Sequence, residues 1–195
     1  VWHDRLTAPI NRTMKELLAP TLENYKLSVT HLNNFIDVTR GGPQNFLLNN
    51  LLRFPQAKSA NAIYGTLIHA VLQHAHSHLA ASGTRKPIED ITGEFIRLLH
   101  QQNLSDADLA FYSKRGIEAL EAFLSAKYGT FTPSQKPELS FAGQGVVLGQ
   151  ARLTGSLDLV DIDNQTITVT DYKTGKPSTS WTGKSDYEKI KLHKY

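Results

Sequence analysis

A strand, a tight turn and a second strand are predicted for residues 156–173. Apolar and β-branched side chains alternate there on both sides of a polar break, and this pattern favours an antiparallel hairpin. If Asn164 and Gln165 form the turn, Asp158 lies directly opposite Asp171. A register shifted by one residue would separate these two carboxylates. The pattern therefore predicts a two-stranded ribbon with an acidic pair at its open end.

The acidic pair needs a positive partner. Opposed side chains of a hairpin have Cβ atoms about 4.5–5.5 Å apart, so Asp158 and Asp171 would repel each other and would be costly to desolvate. A Mg²⁺ ion, which binds carboxylate oxygens at about 2.0–2.1 Å, removes both costs. Lys173 lies on the face of Asp171, because side chains alternate along a strand. We interpret the three residues as a candidate site for divalent-metal chemistry, although Asp-x-Lys also occurs by chance on solvated strands.

Helical periodicity dominates the chain before Gly129, and glycine and β-branched residues dominate after it. The spacing predicts helices at residues 8–20, 30–36, 44–53, 60–79, 88–102 and 106–127. It predicts a four-stranded meander, with its Asp158 face turned inward, at residues 138–142, 145–152, 154–162 and 166–173. A capping box at residues 185–188 predicts a final helix. This order of elements indicates a mixed α+β or α/β fold.

Composition limits the class of protein. At 195 residues with 40% hydrophobic residues, the chain can form one domain with a substantial core. It has no apolar run long enough to span a membrane and no signal peptide. The lack of cysteine excludes disulfides, thiolate zinc sites and a cysteine-ligated iron–sulfur cluster, and is compatible with a reducing cytoplasm. We therefore expect a cytoplasmic globular protein that makes no membrane contact.

The two ends of the chain suggest a piece of a longer protein. The first residue is Val1 rather than methionine, and the final predicted helix stops abruptly at Tyr195. We interpret residues 1–26 as an entry segment or linker remnant and residues 27–195 as a single domain.

The C-terminal stretch is basic. Residues 171–195 contain six lysines and three acidic residues, which equals the net charge of +3 of the whole chain. A basic stretch beside the hairpin suits a polyanion such as DNA, although lysines on a solvated helix face would give the same count. Residues that could hold a backbone phosphate or an unstacked base lie just beyond the hairpin, namely Thr174, Lys176, Trp181 and Lys184. Trp181 could equally anchor the loop by packing.

Two groups of histidines lie on the helix predicted for residues 60–79. Gly65 precedes His69 by one turn on the same face, so a ligand or another segment can approach His69 closely, and its imidazole could complete a metal site. An isolated histidine is more often a semi-buried, hydrogen-bonded residue. His74 and His78 have the i, i+4 spacing of a zinc-ligand pair. Without a third ligand, however, a solvated histidine-rich face explains them as well.

Four motifs follow one another along the chain: Gly65-x-x-x-His69, Pro137-Glu138, Gly155-x-x-Asp158 and Asp171-Tyr-Lys-Thr-Gly-Lys176. Their order resembles that of the RecB-type nuclease domains of the PD-(D/E)XK superfamily. Residues 27–35 and 46–55 are also similar to the start of such domains, so the resemblance extends over residues 27–195. It implies a restriction-endonuclease-like core, in which helices flank a central mixed sheet of about four to five strands, and a helical N-terminal part.

The resemblance also implies roles for individual residues. His69, Asp158 and Asp171 would hold Mg²⁺ or Mn²⁺ together with the main-chain carbonyl of Tyr172. Lys173 would orient or activate the attacking water. Glu138 matches the acidic residue of the first core strand, where it would support the metal site.

Two departures from the family pattern affect the expected contacts. Some relatives carry a Gln-x-x-x-Tyr motif on the helix after the loop; here Tyr195 fits, whereas Lys191 stands in place of the glutamine. We expect both residues to face DNA, with Lys191 meeting a phosphate. Gly42-Pro43 stands where the iron–sulfur relatives have Cys-Pro, so no iron–sulfur cluster is implied.

The implied function is that of a metal-dependent deoxyribonuclease, an exonuclease that works with a helicase or translocase in DNA repair or recombination. Phosphodiester hydrolysis needs a Lewis acid, a positioned water and a cation near the developing negative charge, and the predicted residues can supply all three. Two other classes remain open. One is a catalytically inactive module that keeps the nuclease fold and binds DNA or acts as a scaffold, and the other is a zinc protein built on the histidine cluster.

Overall fold

A computed structural model describes residues 13–163 and 165–175, which form six α-helices and six strands. The helices are α1 (Met14–Glu23), α2 (Val29–Ile36), α3 (Gly42–Phe46), α4 (Ala60–Ser82), α5 (Ile88–His100) and α6 (Asp106–Lys127). The strands are β1 (Lys26–Leu27), β2 (Lys136–Ser140), β3 (Val147–Leu148), β4 (Ala151–Leu153), β5 (Ser156–Asp163) and β6 (Thr166–Thr170). Short 3₁₀ segments cover Val38–Arg40 and Tyr128–Thr130, and a π-helical turn covers Leu47–Leu51. The fold is mixed α+β and consistent with a restriction-endonuclease-like architecture, which confirms the predicted class.

The chain divides into two compact units. The described part of the first unit consists of residues 13–56 and Ser140–Gly155, and it contains α1, α2 and α3 with a three-stranded sheet of order β1-β4-β3. In this sheet β1 runs parallel to β4, and β3 runs antiparallel to it. The described part of the second unit consists of Ala57–Leu139 and residues 156–163 and 165–175. It contains the three longest helices and the hairpin of β5 and β6.

The strands do not form the predicted four-stranded meander. The strands β2, β5 and β6 form one sheet in that order, whereas β3 and β4 pair with β1 in another. The partner of β4 is the segment Lys26–Leu27, which lies far away in the sequence and is two residues long. The prediction was wrong because no local pattern of apolar residues reveals such a distant and short partner. Among the described residues, a single sheet of four or five strands is therefore replaced by two sheets of three.

Helices α4, α5 and α6 form the hydrophobic core of the second unit. Their buried side chains follow helical spacing and include Tyr64, Val71, Phe95, Leu99, Leu120 and Leu124. Ser59 and Ser105 cap the N-termini of α4 and α6, since each hydroxyl accepts a hydrogen bond from the backbone N–H three residues on. The start of α6 was predicted from this cap, and the end of α4 from Gly83, which adopts φ +71°.

The β5–β6 hairpin has the predicted register. Asp163 pairs with Thr166 and Asp161 with Thr168, and the ladder ends where Leu159 pairs with Thr170. Burial is confined to the end near Asp158, where Leu159 and Val160 are in the core. The remaining apolar residues of the predicted inward face, Ile162, Ile167 and Val169, are 51%, 67% and 49% exposed. The expectation of an inward-turned apolar face is therefore wrong at these three residues, because burial reaches only the end of the hairpin near Asp158.

Candidate metal centre

Three metal-ligating side chains converge in the second unit, one each from α4, β2 and β5. They are His69, Glu138 and Asp158, and one ligand atom of each lies within 4.8 Å of the ligand atoms of the other two. The His69 Nδ1 atom is 3.4 Å from Asp158 Oδ2. All three side chains are partly buried, and those of His69 and Glu138 line an open cleft.

Local structure directs two of these side chains into the group. His69 lies one turn after Gly65 on the same face of α4, and its Nδ1 atom is directed at Asp158 Oδ2. Glu138 adopts φ +49°, a left-handed conformation that is unfavourable for a residue with a side chain. Within strand β2 this conformation changes the direction of the side chain relative to its neighbours. Glu138 therefore joins the ligand group at a conformational cost that tertiary contacts must offset.

The donor set fits a hard divalent cation. Two carboxylates and one imidazole supply oxygen and nitrogen ligands, as Mg²⁺ and Mn²⁺ accept. Bonds of about 2.0–2.2 Å place the ligands of one ion at most about 4.4 Å apart. The three ligand atoms lie within 4.8 Å of one another, so side-chain rotation can bring them to this spacing. His69, Glu138 and Asp158 can therefore hold one ion after minor adjustment.

The segment after β6 contacts this group through its backbone. The Tyr172 N–H donates a hydrogen bond of 2.7 Å to Asp158 Oδ2. Asp171 does not belong to the group of three; its carboxylate instead pairs with the Lys173 ammonium at 2.7 Å, and both side chains are 47% exposed. Strand pairing stops at Thr170, so the ladder does not extend to Asp158 and Asp171. Asp158 was expected to lie opposite Asp171. Its carboxylate instead accepts a hydrogen bond from the Tyr172 N–H.

Tyr172 packs into the core of the second unit. Its hydroxyl shares a hydrogen bond of 3.0 Å with His76 Nε2, and its ring makes edge contacts with His69 and Phe123. Burial, and secondarily the charge of Asp158, raises the pKa of Tyr172 to about 12, so the hydroxyl stays protonated. Burial also lowers the pKa of His76 to about 4, so its imidazole is neutral near pH 7.

Thr174 and Arg115 fix the end of the same segment. The Arg115 guanidinium donates a hydrogen bond of 2.9 Å to the Thr174 carbonyl and lies over the Tyr64 ring. A Cβ at Gly65 would lie 3.1 Å from Thr174 Oγ1, so the glycine permits this close approach. An open cleft of about 420 Å³ lies beside Gly65, His69 and Glu138. The metal-ligating group is therefore accessible to a substrate.

The remaining predicted residues fall into two groups. Lys176, Trp181, Lys184, Lys191 and Tyr195 lie outside the described residues, as does the predicted final helix. The His74 Nδ1 atom is hydrogen-bonded to Glu94 Oε1 at 2.7 Å. Neither His74 nor His78 belongs to a metal-ligating group among the residues described. The structure adds His76 and Arg115 to the surroundings of the site. His76 follows His69 by two helical turns, a spacing that could have indicated a shared face, whereas no local pattern indicates Arg115.

A known protein family matches most of the chain. The family model of the PD-(D/E)XK nuclease superfamily matches residues 26–191. The chain belongs to the PD-(D/E)XK nuclease superfamily, whose members are hydrolases that generally use divalent metals. No curated protein and no solved structure matches the chain significantly. Among the helices of the described residues, none is both long and apolar enough to cross a membrane.

Proposed function

We propose that the chain is a deoxyribonuclease that uses Mg²⁺ or Mn²⁺ to hydrolyse DNA from its ends. The observation that carries this proposal is the convergence of His69, Glu138 and Asp158 beside an open cleft. Membership of a nuclease superfamily supports the same chemistry. A pure scaffold would gain no stability from two carboxylates held this close together.

In this proposal His69, Glu138 and Asp158 hold the ion, and Asp171 with the main-chain carbonyl of Tyr172 completes its coordination. The bound metal supplies Lewis-acid activation and neutralises charge that develops on the phosphate. The Lys173 ammonium lies on the same segment, where it orients or activates the attacking water. Thr174 follows directly, and its hydroxyl can contact a DNA phosphate.

The basic C-terminal stretch is the proposed path of the DNA strand. Lys176, Lys184 and Lys191 would contact phosphates, while Trp181 and Tyr195 offer aromatic faces for unstacked bases. The coupling to a helicase or translocase rests on the resemblance to RecB-type nuclease domains. We therefore propose that a helicase or translocase, in the same protein or the same complex, feeds this site during DNA repair or recombination.

A cleavage assay tests the proposal. The chain should degrade linear DNA with Mg²⁺ or Mn²⁺ and leave covalently closed circles intact. Asp158→Asn keeps an oxygen that accepts the Tyr172 N–H but removes the charge, so the rate should fall by about 100-fold or more. Asp163→Asn, on the exposed far end of the same strand, is the matched control and should keep the activity. Equal rates in the two variants, or cleavage in excess EDTA, would contradict the proposed mechanism.

One observation favours a second candidate, a nuclease-fold module that binds DNA without cleaving it. The Lys173 ammonium is paired with Asp171, and Asp171 lies outside the ligand group. Such a module would bind DNA with the salt dependence of phosphate contacts and show no metal-dependent products. Lys173→Ala separates the two candidates. In a nuclease it lowers the cleavage rate by about 100-fold without weakening Mn²⁺ binding, whereas in a binding module it changes DNA affinity alone.

A further inference from the structure

His76 is buried in a way that packing alone does not explain. Its side chain is 1% exposed, and its ring stacks on Phe131 with a centroid distance of 3.8 Å and an angle of 14°. The Nδ1 atom has no hydrogen-bond partner among the described residues. An apolar ring would stack equally well and would avoid the cost of a buried, unsatisfied nitrogen. The polar contribution of this side chain is therefore its Nε2 atom, which bonds to the Tyr172 hydroxyl.

Tyr172 connects His76 to the candidate metal centre. Its hydroxyl is hydrogen-bonded to His76, and its ring makes edge contacts with the rings of His69 and Phe123. Its N–H donates to Asp158, one of the three converging ligands. With the ring held at both its edge and its hydroxyl, the main chain of Tyr172 has little freedom to rotate away from Asp158.

We propose that His76 is a positioning residue of the candidate metal centre, which acts through the Tyr172 hydroxyl to hold the Asp171–Lys173 main chain against Asp158. His76 itself touches neither the ion nor the substrate. The role is that of a hydrogen-bonded support, whose loss leaves every ligand present but less well placed. The inference rests on the proposed function for its activity readout, and metal affinity supplies a second, separate readout.

The test compares Tyr172→Phe, His76→Phe and the double variant with the unchanged chain. Each single variant removes one side of the hydrogen bond and keeps an aromatic ring. We expect each to weaken Mn²⁺ binding, measured by calorimetry, and to lower the DNA cleavage rate, both by about 10- to 100-fold. The double variant should be no worse than either single variant, because the bond is already broken. His78→Phe makes the same change at an exposed position of α4 and should alter neither quantity.

Stability separates positioning from a merely structural role. The single variants each leave one buried polar group unpaired and should unfold at lower urea concentration, whereas the double variant removes both groups and should recover. If affinity and rate stay reduced in the stable double variant, the positioning role is supported. Recovery of Mn²⁺ affinity together with stability would overturn it, and so would full affinity in Tyr172→Phe. An unchanged chain that binds Mn²⁺ but does not cleave DNA would refute the proposed function alone, since the affinity comparison would still decide the role of His76.

Discussion

At the scale of single residues, two side chains carry conformational or electrostatic cost close to the metal centre. Glu138 adopts a left-handed backbone conformation, and His76 buries an imidazole nitrogen that has no hydrogen-bond partner among the described residues. Costs of this kind persist where the surrounding structure imposes them, and they are concentrated at functional sites. Both residues can therefore be examined through stability as well as through activity.

Lowering the pH should destabilise the protein through His76. Its pKa is lowered from 6.5 to about 4 in the folded chain, so between these values the unfolded chain binds a proton that the folded chain does not. The contribution is fully present above pH 6.5 and is lost as the pH falls toward 4; at about 1.4 kcal/mol per pKa unit, it is on the order of 3 kcal/mol. Urea titrations of the metal-free protein across this window measure it. The fall in unfolding free energy with pH should become smaller in His76→Phe and stay the same in His78→Phe. An identical pH dependence in the two variants would exclude His76 as its source.

The backbone of Glu138 should favour glycine over alanine. Glu138→Ala and Glu138→Gly both remove the carboxylate, so both should weaken Mn²⁺ binding. Only the glycine variant also relieves the left-handed conformation, and it should be more stable than the alanine variant by about 1 kcal/mol. Chemical denaturation of the two variants measures the difference. An alanine variant as stable as the glycine variant would show that the backbone at this position is not left-handed.

At the scale of secondary structure elements, the contact between α5 and α6 depends on one missing side chain. A Cβ at Gly116 would lie 2.1 Å from the ring of Phe95, which is completely buried. Phe95 cannot move aside, because its ring is enclosed by the core of the second unit. Gly116 therefore sets how closely the two helices approach each other.

Gly116→Ala and Gly93→Ala should change stability in opposite directions. Alanine at Gly116 overpacks the core and should destabilise the protein by about 1–3 kcal/mol, despite the better helix propensity of alanine. Gly93 lies within α5, and a Cβ there meets nothing within 4 Å, so the same substitution should stabilise by up to about 1 kcal/mol. Thermal unfolding of both variants measures the two effects. A stabilised Gly116→Ala variant would refute the close contact.

The elements that the sequence predicted well are those whose determinants are local. The α4 helix follows from apolar spacing and the α6 helix from apolar spacing and a capping serine, and the β5–β6 register follows from alternation around a short turn. The pairing of β1 with β4 depends on a distant segment, and the contact of Arg115 with the Thr174 carbonyl depends on tertiary packing. Neither leaves a periodic signal in the chain. Likewise, His69, Glu138 and Asp158 could be named as candidates, but the left-handed backbone of Glu138 could not be predicted.

At the scale of the whole molecule, the metal centre joins segments that are far apart in the chain. His69 belongs to α4, whereas Glu138 and Asp158 belong to strands β2 and β5 of one sheet. Only the folded chain brings these ligands together, so an ion that binds them also favours the folded state. If the candidate centre binds an ion as proposed, the binding free energy of that ion adds to the stability of the second unit.

Mn²⁺ should raise the melting temperature of the chain. At an ion concentration about 100 times the dissociation constant, the expected gain in unfolding free energy is about 2.7 kcal/mol. Differential scanning fluorimetry with added Mn²⁺, and then with excess EDTA, measures the shift and its reversal. Asp158→Asn should lose most of the shift, whereas Asp163→Asn should retain it. A shift of equal size in both variants would place the ion elsewhere.

Three residues on one face of helix α4 contact the site, and they follow one another along the helix axis. Gly65 faces Thr174, His69 faces Asp158, and His76 bonds Tyr172. These positions span eleven residues, or about 16 Å of helix. The three contacts therefore depend on the number of residues between these positions as much as on the identity of the residues. Inserting a single residue after Gly65 would rotate it by about 100° relative to the two histidines, so no choice of side chain could restore all three contacts at once.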